Sequence, residues 1–132
     1  MSKQTVYLNE ADVKKKVKKL LDNYKWFWWM PPANGFGKSG ISDFNAIRGG
    51  VFLAIETKFG SNKPTAMQQA FLRSVQMENG FSFVVNEKNI EHLNVWLQAF
   101  DSAVKAQMEQ KEVAHEDGAA MLNAIHALTI ML

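Results

Sequence analysis

Apolar residues first recur at helical spacing at Val13, Val17, Leu20, Leu21 and Tyr24, with Asn9 placed to cap the helix they define. Lys14, Lys15, Lys16, Lys18 and Lys19 occupy much of its remaining surface. The period then changes. Trp26-Phe27-Trp28-Trp29-Met30 reads as a buried strand halted by Pro31-Pro32, and a Gly-rich loop follows over 33–40. Two strand-like runs come next, 41–47 and 51–58, separated by Arg48-Gly49-Gly50. Adjacent glycines between such runs signal a hairpin, because both can take positive φ. A helix is expected over 65–78, a strand over 81–85 and a long helix over 89–110 with Ile90, Leu93, Leu97, Phe100 and Val104 on one stripe. After a polar break at 115–118, residues 119–132 read as a final apolar helix. The order predicts an α/β (α+β) chain with a mixed sheet of about four strands flanked by helices and extra helices at the C-terminus.

A two-residue turn at Gly49-Gly50 fixes the register of the hairpin. Positions equidistant from that turn face each other, and Asp43 and Glu56 are such a pair. Lys58 falls on the face of Glu56, while Val51, Leu53 and Ile55 point to the opposite, core-facing side. Opposed carboxylates repel unless a positive charge lies between them. A divalent cation is one compensator, since Mg²⁺ takes a carboxylate or two plus water and phosphate oxygens. Lys58 is the other, in which case the arrangement is a salt-bridged hairpin. The spacing Glu-x-Lys has no weight by itself, because Glu109-Gln110-Lys111 repeats it in a polar helical stretch.

Two further polar residues share inward faces. Glu10 lies one turn before Val13, where it is either an acid complementing the helix dipole or a carboxylate awaiting a cation. Gln68 completes a capping box with Thr65 and also precedes Phe71, Leu72 and Val75 on one face. Other motifs lead nowhere. Gly35 to Gly40 spells GxGxxG, but a strand follows where a dinucleotide site needs a helix, so no nucleotide cofactor is expected. Pro32 stands where a Walker loop needs its first Gly, and His115-Glu116 has no second His at zinc-protease spacing. His92 and His126 have no partners at ligand spacing.

At 132 residues the chain suits a single domain over 1–132, with a core at about 8–95 and a helical extension at about 96–132. The absence of cysteine removes disulfides and thiolate metal sites. No signal-like or membrane-spanning run is apparent, so a soluble, cytoplasmic protein is expected. The net charge of +2 hides an asymmetry: residues 1–63 hold 11 Lys or Arg against 5 acids, and residues 64–132 hold 4 against 8. A polyanion would meet the N-terminal half.

Ser39-Gly40-Ile41-Ser42-Asp43-Phe44 followed by Phe52-Leu53-Ala54-Ile55-Glu56-Thr57-Lys58 resembles the PD-(D/E)XK nuclease motif. With Lys63-Pro64-Thr65, Gln68-Gln69-Ala70-Phe71-Leu72, Gly80-Phe81-Ser82-Phe83-Val84 and Glu10 on an early helix, the pattern is similar to the virus-type replication-repair nuclease (VRR-NUC) branch, over about residues 8–95. Ser42 departs from it, standing where the motif has Pro. The resemblance implies a restriction-endonuclease-like core, with Asp43, Glu56, Glu10 and the main-chain carbonyl of Thr57 holding Mg²⁺ or Mn²⁺. Lys58 would position or activate water and Gln68 would support the site. The implied activity is phosphodiester hydrolysis by a homodimer acting on branched DNA such as Holliday junctions, in a bacterial or phage-infected cell. Expected DNA contacts are Lys14, Lys15, Lys18 and Lys19 on the basic helix, with Lys38, Ser39 and Lys63 in the loops. A less selective nuclease, of restriction or exonuclease type, and a non-catalytic DNA-binding or assembly protein on the same fold are the alternatives. The apolar surplus on 90–104 and 119–132 suits either dimerisation or core packing.

Overall fold

A computed structural model of the chain describes residues 4–32 and 40–113. The chain divides into two compact units, Met1–Gln98 and Ala99–Leu132. The first begins with helix α1 (Glu10–Asn23), followed by strands β1 (Phe27–Trp29), β2 (Phe44–Arg48) and β3 (Val51–Thr57). Helix α2 (Ala66–Met77) and strand β4 (Phe81–Val85) follow, and helix α3 (Ile90–Val113) starts in the first unit and runs into the second. The sheet order is β1-β2-β3-β4, antiparallel except for the β3–β4 pair, which α2 connects as a parallel crossover. The architecture is α+β with a four-stranded mixed sheet, as the alternation of periods predicts. No helix among the described residues is long and apolar enough to cross a membrane.

Each helix forms for local reasons before it packs. Asn9 caps α1 by accepting from the Asp12 amide at 3.0 Å, and the Asp12 carboxylate accepts from the Leu8 amide at 2.8 Å. Val13, Val17, Leu20 and Leu21 form its buried stripe, each stabilising the fold by about 1.5–3 kcal/mol relative to an exposed side chain. Thr65 and Gln68 form a complete capping box at the start of α2. Both helices end on a left-handed residue that is not glycine, Lys25 at φ 65° and Asn79 at φ 66°.

The hairpin has the expected register. Gly49 and Gly50 have φ 58° and 78°, the two positive values that a tight turn matching strand twist requires. Arg48 pairs with Val51, and the ladder runs back to Phe44 opposite Ile55. One sheet face carries Trp28, Ala46, Leu53 and Phe81 in one row and Phe44, Ile55 and Phe83 in the next. Here the Trp28 indole donates to Asp22 of α1 at 2.7 Å, and Trp96 of α3 meets Phe81 and Phe83 at ring separations of 5.0 and 5.1 Å. The other face carries Asn45, Ala54 and Ser82, with α2 against it; the Ser82 hydroxyl donates to the Leu72 carbonyl at 3.0 Å.

Two expectations need correction. The aromatic run is not a buried strand: only Trp26 is deeply buried, and Phe27 is 73% exposed. β1 is an edge strand, paired with β2 alone among the described strands, and α2 packs farther along the sheet, over β3 and β4. The strand expected over 41–47 begins instead at Phe44. Gly40, at φ 81°, lies so close to the α2 backbone that a Cβ would stand 2.6 Å from the Met67 carbonyl carbon. Ser42 then turns inward, its buried hydroxyl donating to Asn45 Oδ1 at 2.7 Å. These two contacts bend the chain before the ladder starts. The apolar helix expected over 119–132 lies outside the described residues.

Candidate active site

The site forms where β2 begins and β3 ends. Glu56 is 1% exposed and shares the sheet face of Ala54 and Ser82, against which α2 packs. Asp43 sits one step before the ladder, and its backbone amide donates to Glu56 Oε2 at 3.3 Å. Its carboxylate reaches over the end of β3. Oδ2 accepts from the Thr57 amide at 2.8 Å and from the Thr57 hydroxyl at 2.6 Å. The two acids are brought together as the hairpin register requires. They do not simply lie side by side on one face, because the bend at Ser42–Asp43 releases Asp43 from the pleat.

Two lysines complete the cluster. Lys58 Nζ is 3.5 Å from Glu56 Oε1, with the Lys58 side chain 15% exposed. Lys14 Nζ, from the second turn of α1, is 3.7 Å from Asp43 Oδ1 and 3.4 Å from Glu10 Oε2. Glu10 therefore reaches the cluster through Lys14. Burial drives the Glu56 carboxyl up from 4.5 to about 7, and the charge of Asp43 adds to the rise. Lys58 and the Asp43 amide pull in the other direction without cancelling it. Ionising Glu56 is therefore costly, first because it is buried and second because Asp43 is close.

Gln68 does not join this cluster directly. Its Oε1 accepts from the Thr65 amide at 2.9 Å, so its side chain is spent on the capping box. Of the lysines expected to meet DNA, Lys15, Lys18, Lys19 and Lys63 are exposed, whereas Lys14 is half-buried at the carboxylates. Lys38 and Ser39 lie outside the described residues. Lys14 was expected only at DNA phosphates, and its contact with the carboxylates is what sequence reasoning missed. Its spacing from Glu10 was visible, but nothing in the sequence showed that this helix turn docks against the bend before β2. The Thr57 hydroxyl was missed too, since only its carbonyl had been assigned a role.

Among the described residues, no group of three or more His, Asp or Glu side chains converges as a metal site. The donor chemistry nevertheless suits a hard cation. Asp43 and Glu56 supply two carboxylates at a strand end, the number that Mg²⁺ takes from proteins when water and phosphate fill its other positions. A cation beside Glu56 would offset the cost of ionising it, the cost that raises its carboxyl to about 7.

Neither a scan against protein-family models nor a search of the curated proteins finds a match for this chain.

Proposed function

We propose that the chain is a metal-dependent DNA endonuclease that hydrolyses phosphodiester bonds, with branched DNA as its substrate. The observation that carries this reading is the joining of Asp43 to Glu56 beside Lys58 in a largely buried cluster at the strand end. Glu56, Asp43 and the Thr57 carbonyl would hold Mg²⁺ or Mn²⁺, with Glu10 joining from α1. When bound, the metal would act as a Lewis acid on the phosphate and lower the pKa of a coordinated water.

The protein's own groups have separable tasks. Thr57 orients Asp43 through two hydrogen bonds, fixing which carboxylate oxygen faces outward. The Asp43 amide does the same for Glu56. Lys58 places an ammonium beside Glu56, where it can hold the attacking water by hydrogen bonding and stabilise negative charge developing on the phosphate. Lys15, Lys18, Lys19 and Lys63 would contact phosphates without reading bases. A two-fold homodimer would bring two such centres to a two-fold junction.

A second reading has an observation of its own. Each carboxylate already has a lysine within 4.0 Å, so the cluster could be a structural ion-pair network in a non-catalytic DNA-binding protein. Substitution separates the two. The nuclease reading expects metal-dependent cleavage of labelled junctions and flaps, abolished in Asp43→Ala and Lys58→Ala variants that still bind DNA. Cleavage retained in both variants would place the chemistry elsewhere.

A further inference from the structure

We infer that Lys14 is a built-in counter-ion that competes with the divalent cation for Asp43 and Glu10, holding the two acids together until the metal displaces it. The inference rests on the nuclease-centre reading above and gives Lys14 a role at the carboxylates beyond the DNA contact expected of it. Asp43 has only one carboxylate oxygen outside its bonds to Thr57. Oδ2 is committed to the amide and hydroxyl of Thr57, so Oδ1 is the oxygen that remains for a cation. Lys14 Nζ stands 3.7 Å from that oxygen and 3.4 Å from Glu10 Oε2.

The helix explains why this lysine is the one. Glu10 and Lys14 are one turn apart and share a face. Val13 and Val17 beside them are fully buried, which anchors the turn against the sheet. Lys15, Lys18 and Lys19 are exposed on other faces of the same helix. Glu10 and Asp43 are like charges, and only a cation between them makes their approach favourable.

The same distances show that the contact is exchangeable. Close charge-assisted hydrogen bonds run at about 2.7–2.9 Å, and both contacts of Lys14 are longer. The Lys14 side chain is 30% exposed on a flexible stem, so it can leave without unpacking the helix. A dication at Asp43 Oδ1 would repel the ammonium, which then becomes free to meet a phosphate of the substrate. The metal would thereby exchange an internal ion pair for a DNA contact.

Titration of Mn²⁺ into metal-free protein, followed by the electron paramagnetic resonance signal of the free ion, tests this without requiring cleavage. Lys14→Met and Lys14→Gln should bind Mn²⁺ roughly five- to thirtyfold tighter than the parent, the scale expected for removing two half-exposed ion pairs. Lys15→Met loses the same charge from an exposed site and should stay within about twofold of the parent. In EDTA both Lys14 variants should melt below the parent, since Glu10 and Asp43 lose their shared cation. Lys14 variants that bind Mn²⁺ no tighter than Lys15→Met would overturn the inference and leave the nuclease centre standing. A parent and variants that all fail to bind Mn²⁺ would overturn both.

Discussion

Replacing Glu56 by Gln isolates the electrostatic cost on which a metal centre would draw. Glu56 is buried to 1% exposure and its carboxyl is pushed from 4.5 up to about 7, so the folded protein holds a proton that the unfolded chain releases. The contribution of this proton to stability is fully present below about pH 4.5 and is lost as pH rises through about 7. The displacement from 4.5 to about 7 corresponds to about 3 kcal/mol at full strength, and solvent screening through the partly exposed Asp43 and Lys58 beside it reduces it to about 1–2 kcal/mol. Gln resembles the protonated acid in shape and cannot ionise. Metal-free Glu56→Gln should therefore be more stable than the parent by about 1–2 kcal/mol at pH 8.5, raising the melting temperature by about 3–8 °C. At pH 4.5 the two should unfold together. The assay is urea denaturation in EDTA at both pH values, with Mg²⁺ added in a parallel series. Mg²⁺ should narrow the gap at pH 8.5 by stabilising only the parent. A Gln variant equally or less stable than the parent at pH 8.5 would refute the claim that ionising the buried Glu56 costs the fold stability.

The other substitutions probe the frame and the DNA face. Gly40→Ala should destabilise by about 2–4 kcal/mol and impair cleavage, since its Cβ would collide with the α2 backbone just ahead of Asp43; thermal melts and kcat/KM measure both. Lys25→Gly should stabilise by about 0.5–1 kcal/mol by relieving the left-handed backbone at the end of α1, read from the urea midpoint. Alanine at both Lys15 and Lys19 should weaken DNA binding and reduce the salt slope by about 1–2, measured by anisotropy across a salt series, with cleavage at saturating DNA preserved.

Most of the framework could be read from local rules because local chemistry determines it. Gly49-Gly50 set the hairpin register, Asn9 and Thr65 set helix starts, and β4 occupies the residues expected of it. Local rules failed where packing decides. The run Trp26 to Met30 has the composition of a core strand, yet its position at the sheet edge leaves Phe27 exposed. Residues 41–43 look extended, yet the contact between Gly40 and α2 and the Ser42–Asn45 hydrogen bond bend them. That bend redirects Asp43 toward Thr57, a partner that strand alternation alone places on the opposite face from Glu56. The contact between Lys14 and Asp43 was hidden for the same reason, because the two come from separate elements. Gln68, equally consistent with a cap and with the site, makes the cap.

The most direct test of the nuclease claim is single-turnover incubation of the purified chain with an end-labelled four-way junction and its matched linear duplex, in Mg²⁺, Mn²⁺ or EDTA. The account predicts cleavage in either metal, faster on the junction, with none in EDTA and none by Asp43→Asn at equal DNA occupancy. Intact DNA in both metals at full occupancy, or equal cleavage in EDTA, would contradict it.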